Sequence, residues 1–213
     1  MPFTHDAIQA SLSTYNGPVF RGVAPIFAAN PFSGIGASMA GGRFNPKGVQ
    51  ALYTADRAET AIAEITQGDF LNLVPTTIYR IDIECERALD LTDPTILEAL
   101  DITPAALSGA WRLITTQYFD INNLDVNTRI FLAYTQQLYF DFMKAGVSCL
   151  IVPSFAPTSP SGSKNYVFLN WNNLGTAQLT LHDPDNRYGA YTIDEAILPD
   201  PVIIDTFSVI SAP

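Results

Sequence analysis

The sequence predicts an α+β fold in a single compact domain, and three observations carry that expectation. The stretch TTIYRIDIE (76–84) sets Tyr79, Ile81 and Ile83 against Arg80, Asp82 and Glu84, the two-residue alternation of a half-buried strand. The stretch TRIFLAYTQQLYFDFMKAG (128–146) places Phe131, Tyr134, Leu138 and Phe142 along one side of a helix, with Lys144 in the last turn and Gly146 as its stop. Strands and helices do not alternate strictly and no repeat appears, which argues against a doubly wound parallel sheet. With 213 residues, 47% of them apolar, the chain can bury one core of ordinary size.

Taken in order, PVFRGV (18–23) reads as a short strand between loop formers. NPFSGIGASMAGG (30–42) follows as a long connection of small residues, and long connections in compact domains tend to serve function. VQALYTA (49–55) is a second strand. In DRAETAIAEI, Asp56 and Glu59 have the spacing of a capping box, and Ala58, Ala61, Ile62 and Ile65 follow helical periodicity. A helix is therefore expected from near Arg57 to near Gly68. Beyond the 76–84 strand, Asp93-Pro94 and Thr103-Pro104 each set a capping residue before proline and should start two short helices. After the long helix come the strand VSCLIV (147–152), the Pro/Ser/Gly-rich loop 153–164, the strand NYVFLNW (165–171), and strands near 176–181 and 202–210.

Composition narrows the function classes. Eleven basic against twenty-one acidic residues give a formal charge of −10, with no basic stripe to follow a phosphate backbone, so direct nucleic-acid binding is disfavoured. No apolar run approaches ~18 residues, and MPFTHDAIQA lacks a signal-peptide layout. A soluble protein acting in the cytoplasm is expected, with no membrane association; origin as part of a secreted effector stays open. Cys85 and Cys149 sit far apart in apolar stretches and read as reduced core thiols. With His5 and His182 also unpaired in sequence, no metal site is expected. Lys47 precedes Gly48 with no following Ser or Thr, which fails the phosphate-loop pattern, and no GxSxG surrounds a serine.

The informative stretch is GGRFNPKGVQALYTADRAETAIAEI (41–65), which places Arg43 on a turn, Tyr53 on a strand and Glu64 on the following helix. Three successive elements can converge on one cleft. Glu64 lies ~120° around the helix from the centre of the apolar stripe. Singly, these residues read as a loop cation, a core-edge aromatic and a solvated glutamate; their order and spacing raise them above that.

This stretch resembles the signature of the RES domain family: a G-R-[WF]-N turn, then Y-T, then an A-x-x-E helix. The resemblance places the family arginine at Arg43, its tyrosine at Tyr53 and its glutamate at Glu64. LIVPSFAPTSPSGSKNYVFLN is similar to the family's I-P-S, loop, N-hydrophobic-N segment, which places the serine at Ser154. It covers about residues 18–171, leaving 1–17 as an amino-terminal extension and 172–213 as a carboxy-terminal extension packed on the same domain; the stretch 84–128 departs from the pattern.

The resemblance implies a fold similar to ADP-ribosyltransferases, with a mixed sheet and flanking helices. It also implies a toxin that consumes NAD as substrate without a further cofactor, held in check by an antitoxin or immunity protein that occludes the cleft. On that reading Arg43 and Arg21 hold the diphosphate, Lys47 adds a point charge, and Glu64 stabilises positive charge developing on the ribose. Tyr53 walls the nicotinamide, Ser154 bonds the ribose or carboxamide, and Asn165 adds an amide contact. Water, phosphate or a protein side chain could accept the ADP-ribose. Ile62, two residues before Glu64, is not the acceptor-addressing residue of protein-modifying transferases and favours small acceptors. A non-catalytic acidic interaction domain is the third reading, for which Glu64→Ala would abolish nothing.

Overall fold

The strand β3 (Thr77–Asp90) organises the sheet in the computed structural model, which describes residues 5–67, 74–113, 132–173 and 176–186. The strand β1 (Leu12–Val23) runs antiparallel along nearly all of β3, from Leu12 opposite Leu89 to Val23 opposite Thr77. β4 (Cys149–Pro153) pairs in parallel with Ala88–Asp90, and β5 (Lys164–Phe168) lies antiparallel to β4. β2 (Leu52–Ala55) lies antiparallel to β5 and returns to β1 where Phe20 faces Ala55. The order β1–β2–β5–β4–β3–β1 therefore closes into a small barrel-like ring, and β6 (Gln178–Leu181) pairs with β3 besides.

Alternation along these strands divides the apolar side chains between two cores. Cys149, Ile151, Tyr166 and Phe168 join Val19, Leu52, Ile81 and Ile83 in one. Leu150, Val152 and Val167 point the other way, against Leu97, Leu107, Leu138 and Phe142. Those last four come from helices α4 (Pro94–Ala99), α5 (Pro104–Ser108) and α6 (Tyr134–Lys144). The two proline-started helices form as expected: Asp93 accepts from the Thr95 amide at 2.8 Å and Thr103 from the Ala106 amide at 3.2 Å.

Several boundaries differ from expectation for identifiable reasons. β1 begins at Leu12 rather than at residue 18, although Asn16, Gly17 and Pro18 read as breakers. β2 meets β1 only at Phe20, so the far side of β1 is open at Pro18 and a missing N–H costs no ladder bond there. Ahead of it, α1 (His5–Ala10) buries Ile8 in the helix-covered core. The connection 30–42 contains a short helix, α2 (Ile35–Ala40), with no buried residue. In α3 (Ala58–Thr66) the capping box does not form: Arg57 is the N-cap without a side-chain cap bond. Asp56 instead pairs with Arg57 at 2.8 Å and accepts from the Thr60 hydroxyl at 2.7 Å. The buried face is Thr60, Ala61, Ala63 and Thr66 rather than the larger aliphatics.

The longest helix among the described residues starts at Tyr134; the expected start at 128–131 lies outside the described residues, as does the strand expected at 202–210. Tyr134 is 39% exposed, contrary to the predicted stripe. The polar Thr135 and Gln136 are buried in its place because each has a backbone carbonyl to bond, at Arg43 and Gly42 respectively. Among the described residues no helix is long and apolar enough to cross a membrane.

Candidate active site

The turn carrying Arg43 is fixed from beneath by Asn45, which is fully buried. Its Nδ2 donates to the carbonyls of Ala37 at 3.1 Å and Val49 at 2.7 Å, and its Oδ1 accepts from the Tyr53 hydroxyl at 2.7 Å. The Tyr53 oxygen accepts in turn from the Phe44 amide at 3.0 Å. Burial pushes the Tyr53 phenol above its ordinary pKa, so it stays protonated and able to donate. This packing demands glycine at position 42, where a Cβ would lie 2.4 Å from the Tyr53 hydroxyl and 2.5 Å from Asn45 Oδ1. From the other side, Gln136 Nε2 donates to the Gly42 carbonyl at 2.8 Å.

Arg43 leaves this turn with its guanidinium 4.1 Å from the centroid of the Phe155 ring. Its Nη1 donates to the carbonyls of Leu107 at 3.0 Å and Gly109 at 2.9 Å, at the end of α5. Burial lowers its pKa; Glu64 and Tyr53 oppose that shift and Arg112 reinforces it.

Glu64 projects from the last full turn of α3, and its Oε1 is the meeting point of two donors. Ser154 Oγ and Asn165 Nδ2 each donate to it at 2.6 Å. Ser154 Oγ also lies 2.6 Å from Ser159 Oγ. Since the Ser154 proton is given to the carboxylate, Ser159 is the donor of that second bond. Oε1 is thus held by two short charge-assisted bonds, whereas among the described residues Oε2 has only Gln67 Nε2 at 3.4 Å. Donation to a carboxylate also fixes the orientation of the Asn165 amide, which leaves its Oδ1 buried without a partner among the described residues. An unpaired buried acceptor costs about 1–3 kcal/mol, a cost the fold carries to hold Glu64.

These groups surround one cavity of about 890 Å³, within the usual size range of ligand sites (about 300–1,000 Å³). Arg43, Tyr53, Glu64, Arg21 and Asn165 all reach its wall. Three of the expected site residues stand in other surroundings than the sequence suggested. Ser154 is not part of the wall; its hydroxyl donates to the carboxylate of Glu64, which is. Lys47 is exposed and outside the wall. Arg21 lines the cavity, but its Nη1 and Nη2 donate to the carbonyls of Pro31 at 2.6 Å and Ser33 at 2.7 Å. Burial draws its pKa down to about 10, and the guanidinium clamps the 31–33 segment instead of standing ready for a diphosphate. Four residues escaped sequence reasoning: Asn45, Phe155, Ser159 and Arg112. Asn45 stood inside the quoted motif, where its position two residues after Arg43 was the available signal.

The RES domain family model matches residues 18–192. The chain belongs to the RES domain family. Its match includes β6 and so extends beyond the 171 expected from the motifs. In the crystal structure of the M. tuberculosis MbcT–MbcA toxin–antitoxin complex, one chain aligns with this RES domain at a TM-score of 0.50 and 18% identity. The alignment covers 82% of this chain and 87% of that one, a likeness of fold. No curated protein matches the chain by sequence. In this RES domain, then, Glu64 and Ser154 form a hydrogen-bonded pair, and Arg43 stands in the same cavity.

Proposed function

We propose that this RES domain is a toxin that cleaves the bond between nicotinamide and ribose in NAD, with water or inorganic phosphate accepting the ADP-ribose. The observation that carries the reading is the double anchoring of Glu64 Oε1 by Ser154 and Asn165 in a cavity it shares with Arg43. Cleavage moves the electrons of the C1′–N bond onto the nicotinamide ring, which leaves as a neutral molecule while positive charge builds on the ribose. A carboxylate fixed through one oxygen presents the other to that charge without having to reorganise. Arg43 supplies charge-assisted bonds for the anionic diphosphate, and the Tyr53 ring contributes a rigid wall. Acceptor oxygen then bonds to C1′, and its proton passes to solvent.

Support for restraint by an antitoxin comes from the fold likeness to a chain of a toxin–antitoxin complex. An inhibitor lying over the cavity between Arg43 and Glu64 would exclude a ligand as large as NAD. The test is incubation of the pure protein with NAD, with and without phosphate, followed by chromatography. Released nicotinamide with ADP-ribose marks water as acceptor, and ADP-ribose phosphate marks phosphate. Intact NAD in both samples would overturn the reading.

A further inference from the structure

Gln67 closes α3 in a backbone conformation that its side chain does not favour. It is the C-cap of the helix, with φ of 49° in the left-handed region and its backbone N–H bonded to the Ala63 carbonyl. Glycine or asparagine ordinarily takes that place. The other non-glycine residues with positive φ among the described residues are Asp101, Asn172 and Asn186, types whose short polar side chains tolerate it. What glutamine adds at this position is its carboxamide. Nε2 donates to the Glu64 backbone carbonyl and lies 3.4 Å from Glu64 Oε2, the carboxylate oxygen that Ser154 and Asn165 leave open. Because Nε2 faces two acceptors, the orientation of the amide is fixed and Oε1 is its outer atom. Among the described residues that Oε1 has no hydrogen-bond partner, and Gln67 is exposed on the wall of the cavity it shares with Glu64. A residue under backbone strain thus sets one unused acceptor beside the open edge of the carboxylate.

We infer that Gln67 holds the acceptor of the cleavage reaction through its Oε1, and that this acceptor is water rather than phosphate. The inference deepens the proposed function and rests on it for the bond that is broken. Water can donate one hydrogen bond to Gln67 Oε1 and still direct a lone pair at C1′, where Glu64 faces the developing charge. As the C1′–N bond breaks with its electron pair going to nicotinamide, the water oxygen bonds to C1′. The proton not held by Gln67 passes to solvent, and the other remains on the new hydroxyl. Phosphate suits the position poorly. Its oxygens are mostly acceptors, the group on offer is also an acceptor, and the donor of the same carboxamide is occupied by Glu64. The Glu64 carboxylate also repels an anion at that distance. Methanol suits it poorly for another reason: its single O–H cannot both bond to Gln67 and release its proton.

The experiment compares the wild-type chain with Gln67→Gly and Gln67→Met in NAD cleavage, with products separated in plain buffer, in phosphate and in a fixed fraction of methanol. Glycine removes the carboxamide and relieves the strain at positive φ, so Gln67→Gly should unfold at a temperature no lower than the wild type. Methionine keeps the length of the side chain without its acceptor. In both variants kcat should fall about 10-fold or more with KM for NAD within a few-fold, the scale of one lost hydrogen bond to the reacting group. The share of O-methyl ADP-ribose formed in methanol should rise in both. Activity that follows stability, or a methanol share raised in Gln67→Gly but not in Gln67→Met, assigns the residue to structure or to bulk and overturns the inference. So does a fall in kcat with the methanol share unchanged, which would leave Gln67 acting on Glu64 alone. Wild-type conversion chiefly to ADP-ribose phosphate in phosphate overturns it as well. These results leave cleavage standing, whereas intact NAD with the wild type removes the cleavage reading and the acceptor site together.

Discussion

At Glu64 the two oxygens have different environments, and substitutions should separate them. Glu64→Gln is expected to slow nicotinamide release by about 10²-fold or more while leaving NAD affinity within a few-fold, because the carboxylate meets charge that exists only in the transition state. Arg43→Ala should instead raise KM more than it lowers kcat. Initial rates across a range of NAD concentrations distinguish the two patterns. Ser159→Ala removes the donor that orients the Ser154 hydroxyl toward Glu64; kcat should fall with KM nearly unchanged, and Ser159→Thr should recover most of it. A fall confined to KM would place Ser159 outside this chain. Arg43, Tyr53 and Glu64 were legible in sequence because a single contiguous motif carries them. Ser159 and Arg112 were not, since a serine's hydroxyl partner and an arginine's cavity are set by loop conformations between residues far apart in the chain.

Among the elements, the 41–45 turn is the tightest. Gly42→Ala would force a methyl group against the Tyr53 hydroxyl and Asn45, and a loss of about 1–3 kcal/mol is expected, measurable by urea denaturation. Thr103→Ala deletes the α5 cap and should cost about 1 kcal/mol. Bonds from the Thr95 hydroxyl and amide hold the Asp93 carboxyl below its ordinary value of 3.8. A depressed folded-state value means that this cap is fully effective above the ordinary aspartate range and is lost as pH falls through the lowered value. Asp93→Asn should therefore flatten the acid limb of stability against pH. These proline-marked helices were readable because their caps are local. The first half of β1 was hidden: its Asn16-Gly17-Pro18 run forms strand only through β3, more than sixty residues later. The face of α6 was misjudged for the same reason, since Thr135 and Gln136 turn inward to meet carbonyls of the distant 42–43 turn.

For the whole molecule, the two cysteines report on opening of the ring. Cys85 and Cys149 are both buried and unpaired, and burial raises both thiol pKa values. A thiol reagent at mildly alkaline pH should label neither in the folded protein and both in denaturant; fast native labelling would mean that the barrel opens locally. The charge of −10 also has a measurable consequence. If a basic inhibitor surface is steered by it, association should slow steeply from low to physiological ionic strength, whereas a flat response would confine the charge to solubility. NAD at saturation should compete with that inhibitor if it occupies the cavity. The closed strand order sets a schedule as well. Glu64 has its two donors supplied from 90 and 101 residues farther along the chain. A ribosome adding about 5–20 residues per second has Glu64 in place for about 5–20 s before Asn165 is made. A nascent or truncated chain that ends before Ser154 has its carboxylate but neither of the donors that hold it, so the cell making the proposed toxin has that interval, and the time of folding after it, to supply the inhibitor.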